Sequence, residues 1–299
     1  MAANPLNTTL SALSEVKLAA LARAANRLMT RDARHMRGST CHKTRTGSSH
    51  EFIDFKNYMA GDDRRRIDWR ASARTHHTQV RRYHDDAANH WLICLDRSAS
   101  MGLWNQTKWR LALQLAAAWS YLALHSGNSV GLLTFSQQVD GLCPLGRGRP
   151  QYNHILQWLN RSEVRSYGGG SNLITSCSQI KAHCSIVVLS DFLSPDTMQH
   201  ALERFCGLSA GLHVLQILSP QECLLPPDAS VSLRDIESGQ TLDNIGSDSA
   251  SAAARTTLQQ LQQELVAYCR RREITMSHCL SDEAYLDVLS RHFKRLLLT

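Results

Sequence analysis

From residue 90 onward, short runs that are apolar on both faces alternate with amphipathic stretches of helical period, and few folds accept that order. The runs are "HWLICLD" (90–96), "SVGLLTFS" (129–136), "CSIVVLSD" (184–191), "HVLQILS" (213–219) and "TMSHCLS" (275–281). Helical periodicity falls near 107–126, 150–160, 172–182, 195–206, 254–272 and 283–297. A strand apolar on both faces must be covered on both faces, which predicts an α/β, doubly wound, mostly parallel sheet. Two segments depart from the rule. "VDGLCPLG" at 139–146 follows its neighbour so closely that it predicts an antiparallel edge strand, and "SVSLRDIESGQTL" at 230–242 predicts a hairpin insertion near 228–245 turning at Ser238-Gly239.

The rest of the chain bounds what this core can serve. The 299 residues, 43% of them hydrophobic, suffice for one large domain or two small ones. The longest nearly apolar stretch, 111–124, carries Gln114 and Ser120 and is shorter than the ~20 residues a bilayer span needs. The N-terminus lacks a basic segment followed by an apolar one, so a cytoplasmic location is expected. Nine cysteines, an odd number with no CxxC pair, point to reduced thiols. Charge is uneven: residues 1–45 hold eight Lys/Arg against Glu15 and Asp32, whereas residues 91–299 hold 17 basic and 17 acidic side chains. Leu10, Leu13, Val16, Leu21, Ala24, Ala25 and Leu28 recur at helical spacing, so residues 1–46 read as a basic amphipathic helix and linker. That segment lacks interleaved aromatics and a nucleic-acid-binding motif, which argues against nucleic acid as the partner.

In an open parallel sheet, ligands bind beyond the carboxyl ends of the strands, where strand order reverses. The polar residues that end strands are therefore the candidates. "CLDRSASMG" places Asp96, Ser98 and Ser100 after the first core strand, "LSDF" places Asp191 after another, and "GGGSNL" presents Ser171 on a Gly-rich turn. Alone, each stretch reads equally well as a strand end or helix cap. Together they offer hard oxygen donors suited to Mg²⁺ or Mn²⁺, two carboxylates to neutralise the ion and hydroxyls to complete its shell.

This arrangement resembles the metal-ion-dependent adhesion site of von Willebrand factor A domains: D-x-S-x-S, then a Thr in a Gly-rich loop, then a distal Asp. The resemblance implies Asp96, Ser98, Ser100, Ser171 and Asp191 as ligands of Mg²⁺ (or Mn²⁺), with Ser171 standing where Thr is usual. A second resemblance is carried by "EFIDFKNYMAGDDRRRIDWRASARTHHTQVRRY" at 51–83. Its Tyr58, Gly61, Asp62, Asp63, Arg66, Asp68, Trp69 and Arg74 look like the signature of a bacterial family of unknown function, von Willebrand A-like proteins that pair with MoxR-type AAA+ ATPases. The resemblance implies a signature segment at 47–89 packing on a main domain at 90–299, and a MoxR-type ATPase or its protein client as partner. Read physically, Arg–carboxylate pairs staple the segment onto the main body with Trp69 as its buried anchor, or the segment is an interaction surface for a partner.

Two function classes follow. The first is a non-enzymatic interaction module in which the ion coordinates a partner's carboxylate; no nucleophile–base pair is visible. The second is a Mg²⁺-dependent phosphoryl-transfer hydrolase using Asp96, but haloacid-dehalogenase-like sites want an acid two residues on, where Ser98 stands. No GxxxxGK[ST] phosphate loop occurs, so any ATP chemistry belongs to the partner.

Overall fold

The computed structural model describes residues 10, 13–35, 52–58, 67–75, 77–83, 90–164, 184–193, 195–223, 231–234, 241–245 and 248–298. In chain order the elements are α1 (Glu15–His35), β1 (Phe52–Asn57), α2 (Trp69–Thr75), β2 (Gln79–Tyr83), β3 (His90–Asp96), a 3₁₀ turn (Ala99–Gly102), α3 (Leu103–His125), β4 (Ser129–Phe135), β5 (Val139–Gly146), α4 (Gly148–Arg161), β6 (Cys184–Ser190), α5 (Pro195–Leu208), β7 (Ser209–Leu218), α6 (Pro220–Cys223), β8 (Val231–Arg234), β9 (Thr241–Ile245), α7 (Asp248–Arg271), β10 (Thr275–Leu280) and α8 (Tyr285–Leu298). The chain divides into two compact units, residues 37–88 and the remainder.

In the larger unit, a six-stranded sheet has the order β10-β7-β6-β3-β4-β5. All neighbours are parallel except β4 and β5, which pair antiparallel. This is the doubly wound, mostly parallel architecture expected, with 139–146 as the antiparallel edge. From β3 the chain winds one way through β4 and β5; from β6 it winds the other way through β7 and β10. The switch point therefore lies between β3 and β6, which pair directly.

Alternation of side chains explains the two cores. Trp91, Ile93 and Leu95 enter one buried cluster and Leu92 and Cys94 the other. The first cluster is closed by α1, α3, α4 and α8, the second by α5 and α7. Helix α3 is buried almost all round from Leu111 to Trp119, so it needs a cover on its outer side as well. Leu18, Ala22 and Ala25 of α1 join the same cluster. The basic N-terminal helix thus belongs to the main body rather than standing apart as an arm. Among the described residues no helix is long and apolar enough to cross a membrane, and Cys143, Cys206, Cys223, Cys269 and Cys279 are free thiols.

Edge strands are guarded. The Arg295 and Arg291 guanidiniums of α8 donate to the Met276 and His278 carbonyls of β10, at 2.7 and 2.9 Å. Gln151 Nε2 donates to the Pro144 carbonyl of β5 at 2.8 Å. Such caps and an edge proline discourage pairing with another chain. β8 and β9 form the expected antiparallel hairpin; its turn at 238–239 lies outside the described residues, as does the helix expected at 172–182.

The smaller unit is built from β1 and β2, antiparallel, with α2 between them in sequence. Asp68 caps α2: its Oδ1 accepts the N–H groups of Arg70 and Ala71 at 2.9 and 3.0 Å. Ser72 Oγ donates to the Asp68 carbonyl and accepts the Gln79 N–H, both within 2.8 Å, and so ties helix to strand. Tyr58 continues the β1–β2 pairing by donating its N–H to the Thr78 carbonyl at 2.7 Å. Trp69 is not the buried anchor expected of it. It is 71% exposed, because the residue this short helix buries is Ala71, which at two residues' distance lies on nearly the opposite side.

The core also holds a buried histidine, His292, that ties stability to pH. His292 and His213, both buried, face each other at 3.2 Å, and His292 Nδ1 lies 2.9 Å from Ser277 Oγ. Burial first, then His213 and the Arg295 guanidinium, disfavour the imidazolium and hold the His292 pKa well below 6.5. Below about pH 6.5 the unfolded chain binds more protons than the folded one, so stability present above that value is lost as pH falls. Urea denaturation between about pH 7.5 and about pH 5.5 is expected to show a loss approaching about 1.4 kcal/mol per pH unit from this group. His292→Gln flattens that slope; an unchanged slope assigns the effect elsewhere.

Candidate functional site

The carboxyl ends of β3 and β6 carry the candidate residues, and the geometry there starts from Asp96. It ends β3 with its side chain fully buried. Its Oδ1 accepts the Ser98 N–H at 2.9 Å, a local turn that folds the next residues back over it. Its Oδ2 accepts the Ser190 hydroxyl at 2.6 Å, which links the ends of the two switch-point strands. Ser98 and Ser100, both buried, place their hydroxyl oxygens 3.0 Å apart. Asp96, Ser98 and Ser100 thus belong to one tight loop. Gly102 closes the loop, and a Cβ there would sit 2.8 Å from Val164 Cγ1.

Asp191 follows β6 directly and is buried. Its carboxylate is already engaged: Lys108 Nζ donates to Asp191 Oδ2 at 2.9 Å and to Glu222 Oε1 at 2.5 Å. Lys108 has no solvent exposure at all. Burial works against its charge, but Asp191 and Glu222 outweigh that and hold its pKa above the usual lysine value. Glu222 is positioned in turn by the Ser219 N–H on Oε2 at 2.8 Å, and Gln216 Nε2 donates to the Asp191 carbonyl at 2.9 Å. Sequence reasoning found Asp191 but missed Lys108 and Glu222.

Backbone strain gathers at the same rim. The described non-glycine residues with positive φ are Trp104 (53°), Asn105 (57°), Gln106 (57°), Phe192 (53°) and Glu273 (56°). The first three directly follow the Asp96–Gly102 loop, and Phe192 directly follows Asp191. A left-handed conformation costs a residue with a Cβ about 1–2 kcal/mol, and such strain tends to be kept at functional sites.

The donor chemistry bears on whether a divalent ion fits. Asp96, Ser98 and Ser100 present hard oxygens from one tight loop, as Mg²⁺ or Mn²⁺ requires. Among the described residues no three His, Cys, Asp or Glu side chains gather to hold a metal, so an ion would rest on hydroxyls as much as on carboxylates. Ser171, with Gly168–Gly170, lies outside the described residues. Of the signature positions, Gly61, Asp62, Asp63 and Arg66 also lie outside them. Asp68 is a helix cap, and Trp69 and Arg74 are exposed.

Comparisons with known proteins define the family and little else. A family model described as "Protein of unknown function DUF58" matches residues 54–265, well over half of the chain. The uncharacterized proteins Rv1480 of Mycobacterium tuberculosis and Mb1516 of Mycobacterium bovis are 29% identical over 188 residues, 61% of this chain and 59% of theirs. The chain thus spans about three-fifths of the length of those curated relatives. Among solved structures, the conserved hypothetical protein BatB from Bacteroides thetaiotaomicron covers 71% of this chain and all of its own at 12% identity and a TM-score of 0.41. An aerotolerance-related membrane protein from Bacteroides fragilis gives 13% identity and the same TM-score of 0.41. Likenesses that distant assign nothing further.

The ion triad has a direct stability consequence. Removing the ammonium in Lys108→Met leaves Asp191 and Glu222 facing each other without a cation, and is expected to cost about 3–5 kcal/mol by urea denaturation. Lys108→Met combined with Glu222→Gln is expected to recover part of that loss; equal losses in both variants would show that packing, not charge, is what Lys108 supplies.

Proposed function

The chain belongs to the DUF58 family, with a von Willebrand A-like α/β fold, and from that premise we propose that it is a non-enzymatic, metal-dependent protein-interaction module. Its working surface is the rim at the β3/β6 switch point. Asp96, Ser98 and Ser100 hold Mg²⁺ or Mn²⁺, with Ser171 and Asp191 completing the surroundings of the ion. A bound ion there supplies an electrophilic position that an Asp or Glu of a partner protein can occupy. The partner is a MoxR-type AAA+ ATPase or a protein client of one, and the module acts as its adaptor.

The observation that carries this reading is one tight loop in which the Asp96 carboxylate accepts the Ser98 N–H and the Ser98 and Ser100 hydroxyls lie 3.0 Å apart, at the point where strand order reverses. Neutral hydroxyls leave an ion most of its charge, which suits capture of an external carboxylate. Phosphoryl transfer through Asp96 fits less well. Both of its carboxylate oxygens accept hydrogen bonds, from the Ser98 N–H and the Ser190 hydroxyl, and a serine stands where the proton donor is needed.

Titration calorimetry with Mg²⁺, together with pulldown of a MoxR-type ATPase, tests the reading on wild type and Asp96→Ala. Loss of both in the variant is expected. Binding that persists unchanged in both assays removes the metal bridge.

A further inference from the structure

One stripe of α7 is uncharged along most of its length and ends in two arginines without a carboxylate partner. Gln259, Gln262, Gln263 and Val266 recur at helical spacing beside the buried Leu265 and Cys269, and Arg270 and Arg271 follow in the last turn. A helix face turned to solvent is ordinarily charged, yet this one leaves Val266 41% exposed. With His278 of β10 the stripe lines a groove of about 880 Å³, within the size range of ligand sites. Three residues connect α7 to β10, so helix and strand run in opposite directions. Arg270 and Arg271 therefore lie near the amino end of β10 and the glutamines toward its carboxyl end. From Gln259 to Arg271 the helix rises about 18 Å, the reach of about five or six extended residues.

The polar groups along this groove are either fixed or unspent. Gln216 Nε2 donates to the Asp191 carbonyl, so Gln216 Oε1 must accept from His278 Nδ1, 2.7 Å away. The His278 ring thus carries its proton on Nδ1 and keeps Nε2 as an acceptor. Burial first, then the Arg295 and Arg291 guanidiniums, hold the His278 pKa below its usual value, so the ring is neutral at pH 7. The acids near the end of α7 leave Arg270 and Arg271 unmatched. Glu203 is taken by Arg272 at 2.9 Å and Glu283 by Arg291 at 2.7 Å, while Glu264 and Glu273 make no ion pair with either arginine. On β10 itself the Met276 and His278 carbonyls already accept from Arg295 and Arg291. A chain lying here is therefore read by side chains and not as an added strand.

We propose that the α7/β10 groove is a docking site for an extended acidic segment of a partner protein. Carboxylates of the segment pair with Arg270 and Arg271, its apolar side chains lie on Val266, and one of its main-chain N–H groups donates to His278 Nε2. The site is separate from the β3/β6 rim and needs no metal ion.

The probe is a fluorescein-labelled hexapeptide of alternating glutamate and leucine, its anisotropy followed on the full chain with EDTA present so that no divalent ion contributes. A peptide with lysine in place of glutamate is the control. The glutamate peptide is expected to bind and the lysine peptide not to. Arg270→Gln with Arg271→Gln, and separately Val266→Asp, are each expected to weaken binding about ten-fold; all three side chains are exposed, so the fold is preserved. His278→Phe, which keeps a flat ring without an acceptor, weakens binding several-fold. Arg161→Gln with Arg204→Gln, which removes the same charge from exposed positions of α4 and α5, leaves it unchanged.

Equal losses in the two arginine pairs, or equal binding of the two peptides, reduce the effect to net charge and overturn the site. So does the absence of glutamate-peptide binding at about 1 mM. Unchanged affinity in His278→Phe overturns the part assigned to the ring. A short oligothymidylate that binds more tightly than the peptide and is lost in the Arg270/Arg271 variant reassigns the groove to nucleic acid. Dimerisation of the chain abolished by Val266→Asp reassigns it to a second copy. Either result overturns the acidic segment as occupant.

Discussion

β3 and β6 lie side by side at the centre of the sheet with both faces buried, and the rest of the larger unit follows from that constraint. Helices must cover the sheet on two sides, and α3, the helix laid against one face, is itself apolar nearly all round. A second layer is needed over it. The N-terminal helix supplies that layer through Leu18, Ala22 and Ala25, although its composition is that of a basic surface helix. Lys17 and Arg23 are exposed, on the side that Leu18 and Ala22 do not occupy, and Glu15 pairs with Arg149 of α4 at 2.7 Å in solvent.

The same pair of strands creates the site. Because β3 and β6 are adjacent and parallel, with their connections running in opposite directions, their carboxyl ends form the switch point at which open α/β sheets place ligands. The Ser190 hydroxyl on Asp96 draws the two ends together at 2.6 Å. The left-handed residues Trp104–Gln106 and Phe192 follow closely on those two strand ends.

What could be read from the residues divides by the range of the interaction. The five core strands, the antiparallel edge and the hairpin at 231–245 were legible because periodicity and turn chemistry are local. Asp96, Ser98 and Ser100 were legible for the same reason, since a three-residue register in one loop determines their convergence. Lys108 was not. In "NQTKWRLAL" it reads as a solvent-facing charge, and only Asp191 and Glu222, 83 and 114 residues away, make its burial tolerable. Trp69 failed in the opposite direction: aromatic character suggested an anchor, but the short helix α2 turns its single buried position to Ala71.

The buried triad also bears on why the rim is built as it is. A buried ion pair is weak support for a fold, since apolar side chains of similar size commonly serve stability as well or better. Apart from Ser120, the other buried positions of α3 are leucine, alanine or tryptophan. A lysine kept in full burial, with two acidic partners each fixed by further hydrogen bonds, therefore does something a leucine cannot. It fixes the Asp191 carboxylate just past the end of β6 with a hydrogen bond of 2.9 Å. Stability alone gives no reason for that expense of desolvation.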